Sequence, residues 1–301
     1  MSDIVTRIAQ IIDERPPIDP ELYREYRVKR GLRNEDGTGV LVGLTEIGNV
    51  YGYRRGPDGP IPDHGVLRYR GIDVSELAEG FVAEKRPGYE ETVYLLLTGE
   101  LPDEAALAEF QHTLASYREL PEGFAENMIL RSPSRDVMNK LGRQVLVSYG
   151  YDPNPETRDL QATLLTLLRL IARMPVMVAY AYQARQRYFE GASMHLHRPL
   201  PAGSSAENLL HLIRPDSAYT ELEAQVLDLA MVLHAEHGGG NNSSFTVHVV
   251  TSSGTDCYSA IGAAIGSLKG RKHGGANERV VGMMDDLFSS LGSRARDGAV
   301  S

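Results

Sequence analysis

Apolar positions recur at helical spacing along most of this chain. Ile4, Ile8 and Ile11 form a weak stripe in a charged N-terminal stretch. Between Gly39 and Asp73 the pattern changes. Val40–Thr45 and Gly65–Arg70 are short runs of strand formers, and a Gly/Pro-rich loop from Gly56 to Pro62 separates them. This spacing predicts a strand pair or hairpin near residues 40–70, the one β element expected. After Asp73 helical periodicity returns. Glu90–Gly99 carries Val93, Leu96 and Leu97, and Gly99 is a stop signal. Pro102 and Asp103 open a helix with Leu107, Phe110 and Leu114. Ser134 is placed to cap a helix carrying Val137, Leu141 and Val145. Leu160–Ile171 is apolar on almost every face, which predicts a central helix, and Pro175 predicts a second helix beginning there. Glu221–His237 repeats Leu222, Val226, Leu229 and Leu233 before Gly238–Gly240. Thr255–Lys269 is rich in small residues, with Gly262 and Gly266 one turn apart for close helix packing. A last helix starts near Asn277 with Val280, Val281, Met284 and Leu287, and Ser289–Ser301 reads as a frayed tail. The expected fold class is mainly α with a small N-terminal β element. The expected division is a helical segment over 1–39, a main domain over 40–288 and a flexible tail over 289–301.

Composition agrees with a folded chain: 42% hydrophobic and 24% charged residues. The formal net charge of −9 excludes general binding to nucleic acid or to a membrane surface, but not local anion binding. Leu164–Tyr182 is the most apolar stretch. Arg169, Arg173 and Pro175 interrupt it, so buried helices are expected there and no membrane span. The single cysteine, Cys257, allows no intrachain disulfide and reads as a small helix-packing residue. With no apolar signal core near the N-terminus, a reducing, cytoplasmic location is expected.

Two clusters can carry chemistry. His234-Ala235-Glu236-His237-Gly238-Gly239-Gly240-Asn241-Asn242-Ser243-Ser244 sets two histidines and exposed backbone at a helix end. Gly270-Arg271-Lys272-His273-Gly274-Gly275-Ala276-Asn277-Glu278 sets one histidine among small residues before a helix N-terminus. Small residues admit a ligand to the backbone, a helix N-terminus favours anions, and a histidine donates to a developing oxyanion or carries a proton. The competing readings are loop histidines and a solvated basic loop at Lys269, Arg271 and Lys272. His234 and His237 are three apart and so share a helix face. No zincin spacing accompanies them, and no third ligand joins His195 and His197, so no metal is expected. Phosphate-binding and nucleophile-elbow motifs are absent. Local chemistry reads as a helical enzyme that binds a small anion.

The two clusters together resemble the citrate synthase and 2-methylcitrate synthase family. The shared patterns are H-[AS]-[DE]-H with a Gly/Asn/Ser turn, then G-x-x-H-G-x-A-N-E. Leu67–Asp73, Glu91–Pro102 and Ser253–Asp256 also fit, in the family's order, over about Val40–Leu287. The resemblance implies a helical large domain and condensation of acetyl-CoA with oxaloacetate. Both are substrates, and no cofactor is implied. It implies that His237 holds oxaloacetate and that His273 is the catalytic histidine, bonding the thioester carbonyl. Asn241 and Asn277 are implied to support the site. It further implies a homodimer, or association with a full-length paralogue. Arg271 stands where the family has proline. The family's G-x-G-H, D-P-R and N-x-D segments, which supply a ketone-polarising His, a substrate Arg and the base Asp, do not follow Leu287. The expectation is therefore a C-terminally truncated synthase with most of its small domain missing and its activity impaired. Alternatives are 2-methylcitrate synthesis from propionyl-CoA, and an inactive remnant that acts only in subunit association.

Overall fold

The strand-forming run near the N-terminus folds back on itself as a twisted ribbon. In the computed structural model, residues 19–25, 45–57, 59–238 and 241–291 are described. Strand β1 (Gly48–Gly56) pairs antiparallel with β2 (Gly59–Tyr69), and β3 (Ile72–Asp73) pairs with the end of β2. The register sets Gly48 opposite Tyr69, so the buried end of β2 lies beside the start of β1. Val40–Leu44 of the expected first strand lie outside the described residues. The expected loop from Gly56 to Pro62 is mostly strand instead. Pro60 and Pro62 are tolerated because β2 has a partner on one side only along that length.

The chain falls into two units, Met1–Gly43 and Leu44–Ser301. The described part of the first unit is helix α1 (Pro20–Glu25). The second holds the sheet, short π and 3₁₀ turns over Ala125–Leu130 and Tyr149–Tyr151, and ten further α-helices among the described residues: α2 (Val74–Ala83), α3 (Tyr89–Thr98), α4 (Glu104–Ser116), α5 (Val137–Ser148), α6 (Leu160–Phe189), α7 (Ser205–Ile213), α8 (Glu221–His234), α9 (Asn242–Ser252), α10 (Cys257–Leu268) and α11 (Ala276–Leu291). The fold is mainly α, as its periodicity predicts. Short polar side chains start these helices by accepting an N–H of the first turn. Asp73, Asp103, Asp159 and Asp256 do so, and Ser204 and Thr220 form reciprocal boxes with Glu207 and Glu223. Gly99 ends α3 at a φ of 87°, a conformation glycine adopts without strain.

Three readings of helix boundaries are corrected. Asp136, not Ser134, caps α5; the Ser134 hydroxyl accepts from the Asp136 N–H, two residues too early to reach the helix. Pro175 does not divide the apolar stretch, which forms the single helix α6. One missing backbone bond costs about 3 kcal/mol, and burial of Leu170, Val176, Met177, Ala179 and Ala184 outweighs it. By length and composition alone α6 could cross a bilayer. Here its Leu170, Met177 and Ala184 pack with Phe124, Leu141, Val145, Tyr258 and Ile265 in one core cluster. The third correction concerns α8, which stops at His234 rather than His237.

A second core cluster joins Tyr69 to Val74, Leu77, Phe81, Leu95 and Val232, and so anchors the sheet to α2, α3 and α8. Close approach at Gly262 is real: an added Cβ would meet Leu146 of α5 at 2.9 Å. At Gly266 it would meet nothing within 4 Å. Cys257 opens α10 half-buried, and burial pushes its thiol up, with the charges of Asp256 and Asp152 adding.

Two buried carboxylates tie α3, α7 and α8 together. Asp228 accepts the Gly88 and Tyr89 N–H groups at 2.6 and 3.3 Å, and Glu90 accepts the Ser205 N–H at 2.7 Å. Burial pushes Asp228 up to about 6, opposed by the Gly88 N–H and reinforced by the Glu90 charge. An unfolded aspartate titrates near pH 3.9. From there to about pH 6 the unfolded state loses its proton first, so this group's contribution to stability falls as pH rises, by about 3 kcal/mol in all. Asp228→Asn is expected to flatten that fall in thermal melts taken between pH 4 and 7.

Candidate functional site

The site begins where α8 ends. Continuing the helix would need the Glu236 N–H to bond the Val232 carbonyl. The Tyr69 hydroxyl stands between them: it donates to Val232 O at 2.7 Å and accepts from Glu236 N at 3.4 Å. Tyr69 and Val232 are both fully buried. Glu236 then turns its carboxylate back on the chain. Its Oε1 accepts from His237 N at 3.0 Å and from Gly238 N over a short contact. Gly238 follows at a φ of 87°. His237 therefore leaves the helix axis and lies exposed in a turn, and it does not share a helix face with His234. His234 bonds the Ala230 carbonyl within its own helix.

The chain re-enters helix at Asn241, and this residue does two things. Its Oδ1 accepts the Ser244 N–H at 2.7 Å, capping α9. That fixes the amide, so its Nδ2 faces the Nε2 of His237 at 3.0 Å. An amide NH₂ donates, so Nε2 accepts and the neutral ring carries its proton on Nδ1. Two residues later the Ser243 hydroxyl meets Nε2 of His273 at 2.9 Å and the Ala264 carbonyl at 3.2 Å. One hydroxyl proton serves only one of these; when it goes to Ala264, His273 must donate through Nε2. Asn242 bonds Ser267 at 2.7 Å, tying the same helix start to the end of α10.

His273 itself is half-buried in the turn between α10 and α11. The turn is packed on its own backbone. A Cβ on Gly274 would lie 1.9 Å from Leu268 O, and one on Gly275 would lie 2.5 Å from Arg271 O. Glycine at both places is what the backbone requires.

Two histidines, from segments that are separate in sequence, are thus held by Asn241 and Ser243 at one helix N-terminus. That end of α9 favours negative charge. The Nδ1–H of His237 is a donor for a bound anion. His273 can donate to an oxygen that gains charge or shuttle a proton. The basic spot contributes less than the sequence implies, because Lys269 pairs with Asp136 at 3.0 Å. Arg271 and Lys272 are exposed. Asn277 lies in the first turn of α11, and its side chain is outside the described residues. His197 bonds the Arg214 and Pro215 carbonyls, His211 bonds that of Arg198, and their rings lie 5.5 Å apart; among the described residues no third His, Cys, Asp or Glu joins them. A cavity of about 310 Å³ between Phe81, Arg86, Glu207 and Asp228 contains none of the site histidines.

Sequence reasoning missed Ser243, Glu236 and Tyr69 as contributors. Ser243 and Glu236 sit inside the first cluster, so adjacency was a signal. Tyr69 lies more than 160 residues from its partner (163 positions), and nothing local marks it.

A family model described as the citrate synthase C-terminal domain matches residues 35–296. The citrate synthase of Haloferax volcanii is 33% identical over 87% of this chain and 63% of its own length. The 2-methylcitrate synthase of Mycobacterium tuberculosis is 30% identical over 95% of this chain and 62% of its own length. The crystal structure of citrate synthase from Pyrobaculum aerophilum superposes with a TM-score of 0.65 at 29% identity, covering 83% of this chain and 57% of that one. The chain thus spans roughly three-fifths of the length of these relatives.

Asn241→Ala removes both a helix cap and the donor to His237. It is expected to cost about 1 kcal/mol of stability and to move the His237 ring ¹⁵N signals away from the Nδ1–H pattern. Melting curves and NMR check the two effects separately.

Proposed function

We propose, from the premise that this chain belongs to the citrate synthase family, that His237 and His273 belong to a site for condensing an acyl-CoA with oxaloacetate. The observation behind the reading is the convergence of His237 and His273 on Asn241 and Ser243. Oxaloacetate is an anion and suits the N-terminus of α9, with His237 donating to it. His273 bonds the thioester carbonyl of acetyl-CoA and stabilises the enolate formed when the methyl group loses a proton. The enol carbon attacks the ketone, and the citryl thioester is hydrolysed to citrate and CoA. Asn241 orients His237, and Asn277 supports the site.

Relatives of both names match, so propionyl-CoA with 2-methylcitrate as product is the second reading. One methylene in a pocket separates the two by about 1–3 kcal/mol. Self-association belongs to the first reading as well. Val249 of α9 and Leu268 of α10 present apolar side chains that are 51% and 42% exposed, a surface that a second subunit would cover. Sedimentation at micromolar concentration is expected to show a dimer, and a clean monomer would count against it.

The activity test is release of free CoA thiol from acetyl-CoA or propionyl-CoA, with and without oxaloacetate. Enolisation needs a base, and its absence costs about 10²–10⁴-fold. Among the described residues the side chain bonded to the His273 ring is the Ser243 hydroxyl, not a carboxylate. The 301-residue polypeptide assayed alone is expected to turn over more slowly than about one per second, and His273→Ala is expected to abolish whatever oxaloacetate-dependent release remains. Release that survives His273→Ala unchanged would refute the assignment.

A further inference from the structure

We propose that Glu236 is a positioning residue for His237, and that Tyr69 sets Glu236. This rests on the reading of His237 as the oxaloacetate-holding group. Glu236 touches no reacting atom in that reading. Its single oxygen Oε1 gathers the N–H groups of His237 and Gly238, the two amides next in the chain. A carboxylate that accepts backbone N–H groups makes stronger bonds than a neutral acceptor. It therefore fixes the turn from which the His237 ring projects toward Asn241.

Three observations make this more than a local loop contact. Glu236 N bonds the buried Tyr69 hydroxyl, so the residue is held by the sheet as well as by its own turn. Gly48, which pairs with Tyr69 across the sheet, leaves room for the Glu236 side chain; an added Cβ there would lie 2.5 Å from Glu236 Cγ. Gly238 is buried at positive φ, and a Cβ added to it would lie 3.4 Å from Val50 of β1. The start of the hairpin thus borders both ends of the turn. The Glu236 charge has a second consequence. A carboxylate beside a site for an anionic substrate would repel it, but bonding to two amides spreads that charge into the backbone.

The alternative is that Glu236 occupies an anion pocket made by the two amides and competes with the substrate. The two ideas predict opposite effects of removing the carboxylate. Glu236→Ala, Glu236→Gln and Tyr69→Phe are compared in the full 301-residue chain. Ligand-free ¹H–¹⁵N spectra report the His237 and Gly238 amides and the His237 ring nitrogens. Calorimetry reports oxaloacetate affinity.

Glu236→Ala is expected to shift both amides upfield, to disturb the ring signals, and to weaken oxaloacetate binding by about tenfold or more. Glu236→Gln retains an acceptor oxygen and is expected to rescue the amide and ring signals and to bind within about threefold of the parent. Tyr69→Phe keeps the Glu236 carboxylate, removes the bond to Glu236 N and is expected to perturb the same signals. Unchanged His237 signals in Glu236→Ala, or tighter oxaloacetate binding, would overturn the proposal. Should the parent chain bind no oxaloacetate while the spectra behave as expected, the substrate assignment fails and the positioning role of Glu236 stands.

Discussion

One hydroxyl group determines where this site lies. Tyr69 stands between the Val232 carbonyl, which also accepts the Ala235 N–H, and the Glu236 N–H, the two groups that a continued α-helix would have joined. A helix end leaves carbonyls without their i+4 partners, and here the Val232 carbonyl is shared between the Ala235 N–H and a buried side chain from the sheet. The helix stops, the chain turns, and His237 faces Asn241 rather than continuing along α8. The tyrosine can do this because its ring is fully buried among Val74, Leu77, Phe81, Leu95 and Val232. Burial drives its phenol pKa up, with the Glu236 charge adding and the Glu236 N–H opposing, so it acts as a neutral donor at physiological pH.

Most of the fold was legible in the sequence, and the failures have physical causes. The α8, α10 and α11 helices were visible in their apolar spacing and small residues, whereas α7 and α9 were not read as helices; no apolar stripe marks Asn242–Ser252, where none of the residues is buried. The α6 helix was misread because Pro175 is a strong local signal, and only tertiary burial outweighs it. The Gly56–Pro62 stretch was misread because the rule against proline in strands assumes partners on both sides, and β2 has one there. Both histidine clusters were visible as motifs. Their convergence on α9 was not, because it depends on contacts across 4 and 30 positions that no spacing rule encodes.

The two histidines are supported differently. His237 is braced from the core through Glu236, Tyr69 and the hairpin. His273 has Ser243 and a turn packed on itself, and the helix that follows exposes an apolar face. Val280, Met284 and Leu287 of α11, spaced on one face, are 49%, 44% and 49% exposed. Geometry is therefore fixed on the α8 side and rests on few contacts on the α11 side.

This asymmetry bears on how the pair is kept in register. The α8 helix is held at three points: the Thr220–Glu223 box at its start, Asp228 bonded to the first turn of α3, and Tyr69 at its end. A displacement of His237 would have to strain one of these. For His273 the links are the Ser243 bond, the Asn242–Ser267 bond and the Lys269–Asp136 pair. The last is an exposed ion pair, worth under about 1 kcal/mol. The alignment of the two rings thus depends on the start of α9, where Asn241 and Ser243 each bond one ring. In the proposed reaction the two rings would act on two substrates at once, which needs a near-fixed separation. Placing both anchors in the first turn of a capped helix supplies it without requiring the two histidine segments to touch.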